Sequence, residues 1–491
     1  VRRSILRADQ ERGEDAMSYG LYIGKNLTAD GLAYLAGYGD EPSSHWLEIV
    51  PRAHHAAGAA ITVGVTPQAE MPGVLSEIPQ VSETARNIRV SYSYYLGVPA
   101  PLTNGGLNEY GVAVRDIWST SRDALIAMTP RDQTGPNYSD LARIVLERAR
   151  TAQEGVEIIA DLIARHGYAD YGGNSHLIAD ADEAWVVIEC SGGKGLWAAE
   201  RLGADSIRAS RPGYIGVIPV DQPDHPDFLY SPNLVSFAVQ QGWFHAAAGQ
   251  PFDFNKIYGD GKGPWAGAQW IEGEMARRAK RPEKIGIADI FWAVRTEKLT
   301  GDTAGYGQVV PLYGEVPTDL RMLWHTQVGA GAAPFAPVFM GVTQVPEEYR
   351  QHRYLTAGES ARFVDLRHGQ AVLSAVPQGI EATRSATAVF KRLLYLVAQH
   401  DDLFRPEVTA VWEAIERKLV ADCPAIIDTA QTLIDAGKPE RAAAFLTYYC
   451  RTELLAALDL GETLARSIEA RTRALFGTNT DMMPKSAAQI W

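Results

Sequence analysis

One stretch, residues 175–202, constrains the fold of this chain more than any other. "SHLIAD" (175–180) reads as a strand, "ADE" (181–183) as a turn and "AWVVIE" (184–189) as a second strand. "SGGKG" (191–195) is another turn and "LWAAERL" (196–202) a third strand. Strands joined by such tight turns pair antiparallel, because a parallel partner needs a long crossover. Just upstream lies a well-marked helix. Thr151 and Glu154 suit a capping box, Val156, Ile159, Leu162 and Ile163 form its apolar stripe, and Gly167 ends it. Helices here must cover an antiparallel sheet rather than alternate through a parallel one.

Further strands are expected at 18–25 and 32–39, joined by the turn "TADG" (28–31), at 45–52, and at 108–114 after a "TNGG" turn at 103–106. The segment 212–346 is rich in Gly, Pro and Trp, with a loop at 258–265 and a helical pattern at 269–280. The Gly-rich run 327–341 superficially suggests a phosphate loop but lacks the Lys-Ser/Thr ending, so it reads as packing or a close-approach turn. From residue 383 onward the composition turns to Ala, Leu, Glu and Arg at helical spacing. Long helices are expected at 383–399, 406–419 and 439–475, with Pro424 interrupting between them.

Composition narrows the function classes. With 46 Lys plus Arg against 59 Asp plus Glu, the net charge of -13 disfavours nucleic acid and anionic membrane surfaces as partners. No run of eighteen apolar residues is present, so no transmembrane helix is expected. Three scattered cysteines, Cys190, Cys423 and Cys450, do not form a disulfide framework or a zinc site. His54 and His55 are adjacent and point apart in an extended strand, without a third ligand at metal spacing. His176, Glu189, Trp185 and Trp197 read as core or structural residues. Residues 1–17 are polar and charged without an apolar h-region. They read as a pro-segment ahead of a β-rich core, or as a plain N-terminal arm. A cytoplasmic location is the expectation, with a removed signal and a secreted or periplasmic protein left open because the sequence begins with Val.

The order and spacing of several pieces resemble the dipeptidase family of N-terminal-nucleophile hydrolases, related to penicillin V acylases and bile salt hydrolases. They are "YGLYIGKNLTADG" (19–31), the acidic strand end at Asp40, "GLNEYGVAV" (106–114), "LERARTAQEGVEIIADLIARHG" (146–167), "HLIADADEAWVVIE" (176–189), "WAAERL" (197–202) and "APFAPVFMG" (333–341). The resemblance implies an α+β fold, a four-layer αββα sandwich of two antiparallel sheets with a helical C-terminal extension. It divides the chain into a pro-segment (1–17), a core (18–355) and a helical region (380–476) packed on the core.

The family's nucleophile is a cysteine six residues before the Gly-Lys pair, and counting back from Gly24 reaches Ser18. A nucleophile at the first position of a mature chain can use its own α-amine, of ordinary pKa about 7.7–8.0, as general base. That amine exists only once the Met17–Ser18 bond is cut, in the family by attack of the same side chain on the preceding carbonyl. The chain is thus expected to be an unprocessed precursor, its Ser18 either a natural serine or a Cys-to-Ser replacement. The resemblance carries Asp40 over as the acid that holds the amine, and Asn108, of the Asn-Glu-x-Gly motif, as an oxyanion donor. Without it, Asp40 reads as a turn residue and Asn108 as the start of a strand. Gly37 stands where acylase relatives have an arginine, and Ser210 with Arg211 replaces a second asparagine that would meet the substrate. The implied activity is hydrolysis of dipeptides or small peptides, with no cofactor and no metal. The alternatives are an amidase, acylase or acyltransferase for a specialised acyl amide, and a catalytically inactive binding relative. A homo-oligomer is left open.

Overall fold

A computed structural model describes residues 18–39, 45–92, 95, 97–99, 101–245, 249–296, 298–299, 305–328, 331–350 and 384–477. Two large antiparallel sheets form its centre. The six-stranded sheet runs in the order Ile207–Ser210, Tyr19–Ile23, Ala33–Gly39, Tyr306–Leu312, Met322–Thr326, Ala336–Phe339. The eight-stranded sheet runs Phe228–Tyr230, Trp197–Leu202, Ala184–Glu189, Asn174–Ala179, Ala113–Trp118, Leu102–Asn108, Asn87–Tyr92, His45–Val50. The meander expected from the sequence forms the middle of this second sheet, with Ile178 opposite Trp185 and Val187 opposite Ala199.

The sheets pack face to face. A Cβ placed on Gly20 would come within 2.8 Å of Ile117 and Leu177 side-chain atoms, so the glycine lets the sheets approach. On the outer face of the eight-stranded sheet, helices Tyr138–Arg148 and Ala152–His166 bury Leu141, Val145, Val156, Ile159 and Ile163 against Val114, Ile178, Trp185 and Val187. Fully burying a side chain of this kind contributes roughly 1.5–3 kcal/mol. Helices Ala266–Ala279 and Ile287–Arg295 cover the other sheet, which completes the helix–sheet–sheet–helix order.

The helix expected after Thr151 starts there. Its hydroxyl accepts from the Glu154 backbone N–H at 3.1 Å, and Gly167 ends the helix at φ 85°. The Glu154 carboxylate reaches one residue further back than a capping box requires, to the Arg150 N–H at 2.7 Å.

Three expectations are corrected. The "TNGG" run does not turn but lies inside the strand Leu102–Asn108. A Cβ on Gly106 would stand 2.2 Å from the Ile88 carbonyl oxygen, and one on Gly105 2.5 Å from that of Val114, so both glycines serve close strand approach. The turn falls instead within 109–112, splitting the expected strand 108–114, with Gly111 at φ 91°. Pro424 does not interrupt the tail either. Asp401–Asp435 is one helix containing both Pro406 and Pro424, and its Phe404, Val408, Trp412 and Leu419 are buried. Packing outweighs the lost backbone hydrogen bonds. It lies with Ala386–Gln399 and Pro439–Phe476 in one continuous core with the six-stranded sheet. No helix among the described residues is long and apolar enough to cross a membrane.

The described residues of the run 327–341 pack as expected, with Val328, Phe335, Val338 and Phe339 buried and Ala336–Phe339 an edge strand. His176 and Glu189 are fully buried on neighbouring strands, 2.8 Å apart. Burial disfavours a charged His176, but the facing Glu189 carboxylate outweighs it and raises the imidazole pKa above its usual 6.5. Cys190 is also buried, and desolvation pushes its thiol well above the ordinary range, so it is a packing residue. His54 meets Glu83 at 3.3 Å and His55 meets Thr84 at 3.0 Å. Among the described residues no His, Cys, Asp or Glu group has the arrangement of a metal site.

Candidate active site

Ser18 is half-buried and immediately precedes the strand Tyr19–Ile23. This strand lies between Ile207–Ser210 and Ala33–Gly39, with Gly20 opposite Ser210 on one side and Tyr19 opposite Tyr38 on the other. Extending that register by one residue puts Ser18 opposite Gly39. Side chains alternate across a sheet. Gly20 faces the second sheet, so Ser18 and Ser210 share the inner face, whereas Tyr19 and Tyr38 share the outer one. The Tyr19 and Tyr38 ring centroids are 5.4 Å apart.

Around this strand end the backbone is stripped of side chains. Gly37 has φ 151°, and a Cβ on it would sit 2.0 Å from the Tyr19 carbonyl oxygen. An arginine at that position would require the two strands to separate. The glycine is therefore a consequence of this pairing.

Two replacements noted in the sequence come to the same end of the sheet. Ser210 is fully buried, and its Oγ has no hydrogen-bond partner among the described residues. Arg211 is 2% exposed. Its guanidinium lies 4.7 Å from the Trp265 ring centroid and contacts the Tyr38 hydroxyl and the Leu299 carbonyl. Ser18 and Ser210 thus share the inner face at this end of the sheet, and Arg211 follows on the outer face. Met17 and Asp40 lie outside the described residues.

Asn108 is not brought to this end. Its Nδ2 donates to the Ala149 carbonyl at 2.7 Å and the Leu146 carbonyl at 3.3 Å, and its Oδ1 accepts from the Tyr110 and Val112 N–H groups at 3.0 Å each. Both amide hydrogens are occupied in tying the hairpin to the end of a helix. In this arrangement Asn108 serves as a structural tie. Truncation of Asn108 to alanine should therefore cost about 2–3 kcal/mol of stability through buried carbonyls left unmet. Denaturant unfolding checks this, and a stable variant with selectively lost turnover would restore the oxyanion role.

Arg115 is the residue that sequence reasoning missed. It is fully buried in the strand Ala113–Trp118, facing the six-stranded sheet. Its Nη2 donates to the Tyr38 carbonyl at 2.7 Å. Its Nη1 donates to the Asn104 carbonyl at 2.8 Å and side-chain oxygen at 3.2 Å, and contacts the Tyr306 hydroxyl. A strand rises about 3.4 Å per residue, so Asn108 lies roughly 13 Å beyond Asn104. A signal was present in the sequence: a strand between two covered faces carries a charge at an inward position.

Comparison with known proteins gives one family. Residues 98–263 match the model of peptidase family C69. A probable dipeptidase from Salmonella dublin is 32% identical over 156 residues, covering 31% of this chain and 34% of that protein. Probable dipeptidase B from Streptococcus pyogenes serotype M3 is 36% identical over 88 residues, covering 18% of this chain and 17% of its own length. The matched stretches thus span about a third or less of these curated relatives. Among solved structures, two variants of conjugated bile acid hydrolase from Clostridium perfringens match at 12% and 11% identity. Each covers 66% of this chain and 92% of its own, with TM-scores of 0.32 and 0.31. Residues 98–263 of this chain are thus similar to peptidase family C69, and stretches of the chain are similar to probable dipeptidases.

Proposed function

We propose that this chain is an amide-bond hydrolase of the dipeptidase type whose nucleophile is Ser18, freed by self-cleavage of the Met17–Ser18 bond. The observation that carries this reading is the position of Ser18. It is half-buried at the head of a strand held on both sides, on the face between the sheets, with a glycine opposite it. A serine presented there has its α-amine and hydroxyl on one residue, so no histidine relay is needed.

In this reading the Ser18 amine takes the hydroxyl proton as Oγ attacks the substrate carbonyl. The tetrahedral intermediate then collapses as the C–N bond breaks, and the same amine returns the proton to the departing amino group. Water repeats the sequence on the resulting ester and releases the acid, regenerating Ser18. Asp40 holds the amine, and Ser210, which shares the inner face with Ser18, meets the substrate, while Arg211 supports that strand end from the outer face.

The test is intact mass and N-terminal sequencing of the expressed chain, followed by turnover of a dipeptide panel and of N-acyl amino acids. A mature chain beginning at Ser18 that requires a free substrate amino group supports the reading. Dependence on the acyl chain instead makes it an acylase. A full-length chain that is fully active overturns it.

A further inference from the structure

The hydrogen bonds of the buried Arg115 guanidinium go to neutral oxygens. It is 0% exposed, yet its Nη1 and Nη2 donate to two carbonyls, an amide oxygen and a hydroxyl. Its Nε has no hydrogen-bond partner among the described residues. Its ion-pair partner, the Asp116 carboxylate, stands 3.7 Å from Nη1, too far for a hydrogen bond. Asp116 also follows Arg115 directly in a strand, so its side chain starts on the other face. Burying a guanidinium is costly, and one carboxylate at 3.7 Å without a hydrogen bond offsets only part of the lost hydration.

The location of that cation is informative. Nη2 is bonded to the carbonyl of Tyr38, the residue paired with Tyr19, and Nη1 touches the hydroxyl of Tyr306, which pairs with Gly39. The guanidinium therefore reaches, from the facing sheet, the strand beside Ser18 at the level where that residue begins. It arrives over the glycine-lined strand, whose position 37 admits no side chain of its own.

We infer that Arg115 is an electrostatic positioning residue for the N-terminal nucleophile, keeping the Ser18 amine unprotonated near neutral pH and favouring the alkoxide over the hydroxyl. This rests on the nucleophile reading proposed above. A like charge disfavours the ammonium form and lowers its pKa, while the same charge stabilises negative oxygen. An amine with an ordinary pKa of about 7.7–8.0 is mostly protonated at pH 7 and a poor base there. A serine, far harder to deprotonate than a thiol, gains more from such a cation than a cysteine would.

Other groups face the same end. Tyr306 shares the inner face, tilted against His45 with ring centroids 5.8 Å apart. Arg211, Tyr19 and Tyr38 lie on the outer face, with Glu272 near Tyr19. Asp116 stands behind Arg115, and Asp40 follows Gly39 outside the described residues. Arg115 is the cation among them that comes from within.

The experiment is trace acylation of the Ser18 α-amine across pH, read by mass spectrometry of the N-terminal peptide, on the processed wild type and on Arg115→Gln, Arg115→Met and Arg115→Lys. Labelling follows the neutral amine and does not depend on turnover. The wild-type midpoint should lie below 7.7, move up by about one unit in the two neutral variants, and return in Arg115→Lys. The acidic limb of kcat/KM should move with it, a loss of about tenfold at pH 7 that raising the pH recovers. An unmoved midpoint in a folded neutral variant overturns the assignment. Should neither neutral variant fold, a wild-type midpoint at or above about 8 overturns it, and one below 7.7 that Arg115→Lys retains supports it. A wild type that stays uncut at Met17–Ser18 removes the nucleophile reading itself, whereas a cut chain with an amine indifferent to Arg115 removes only this inference.

Discussion

Ser18→Ala should leave the Met17–Ser18 bond intact and reduce amide hydrolysis by at least about a thousandfold, because both events need the same oxygen. Ser18→Cys should be cut faster and turn over faster than the wild type, since a thiol of ordinary pKa about 8.5 ionises far more readily than a hydroxyl. Intact mass against time reads the first event and initial rates on a dipeptide read the second. The two variants separate a slow serine enzyme from a scaffold that has lost chemistry. A rise with cysteine means the rest of the centre works, whereas silence from a processed Ser18→Cys chain means it does not. Wild-type rates from Ser18→Ala would end the proposal, because no other residue could then be excused from the role.

Glu416→Ala should be the most destabilising single change in the helical tail, by about 3–5 kcal/mol. Glu416 lies in the helix Asp401–Asp435 and forks onto Arg295, the last residue of Ile287–Arg295, with Oε2 3.0 Å from Nη1 and a second bond to Nη2. It also accepts the Phe335 backbone N–H at 2.8 Å. Arg295 and Glu416 are only 8% and 4% exposed, so removing the carboxylate leaves a buried guanidinium and a buried N–H without their acceptor. The paired replacement Arg295→Met with Glu416→Leu should recover the share due to the lone guanidinium, because the ion pair itself repays little more than its desolvation, while the Phe335 N–H stays without this acceptor. Denaturant unfolding of the three chains decides it. A loss under about 1 kcal/mol in Glu416→Ala would mean that the tail docks by apolar contacts alone.

Much of the scaffold could be read along the chain because its causes are local. A capping threonine and a terminal glycine bound the helix after Thr151, and strand-and-turn alternation over 175–202 produces the antiparallel meander whatever packs on it. The place of Ser18 before a strand also follows from a local pattern of aromatic and β-branched residues. Where a local rule had two outcomes, the neighbours chose. Adjacent glycines at 105 and 106 look like a turn until the Ile88 and Val114 carbonyls close on them. Proline at 424 looks like a break until its helix is held by a buried face.

The sequence by itself thus determined the alternation of elements, the antiparallel pairing and the serine that heads the first strand, because each depends on residues a few positions apart. Only the tertiary structure decided that Asn108 spends its amide on two carbonyls some forty residues away, that Gly37 excludes a side chain, and that Arg115 crosses from the facing sheet to the Tyr38 carbonyl. These depend on which faces meet, and the meeting of faces is set by the packing of the whole core rather than by any one segment.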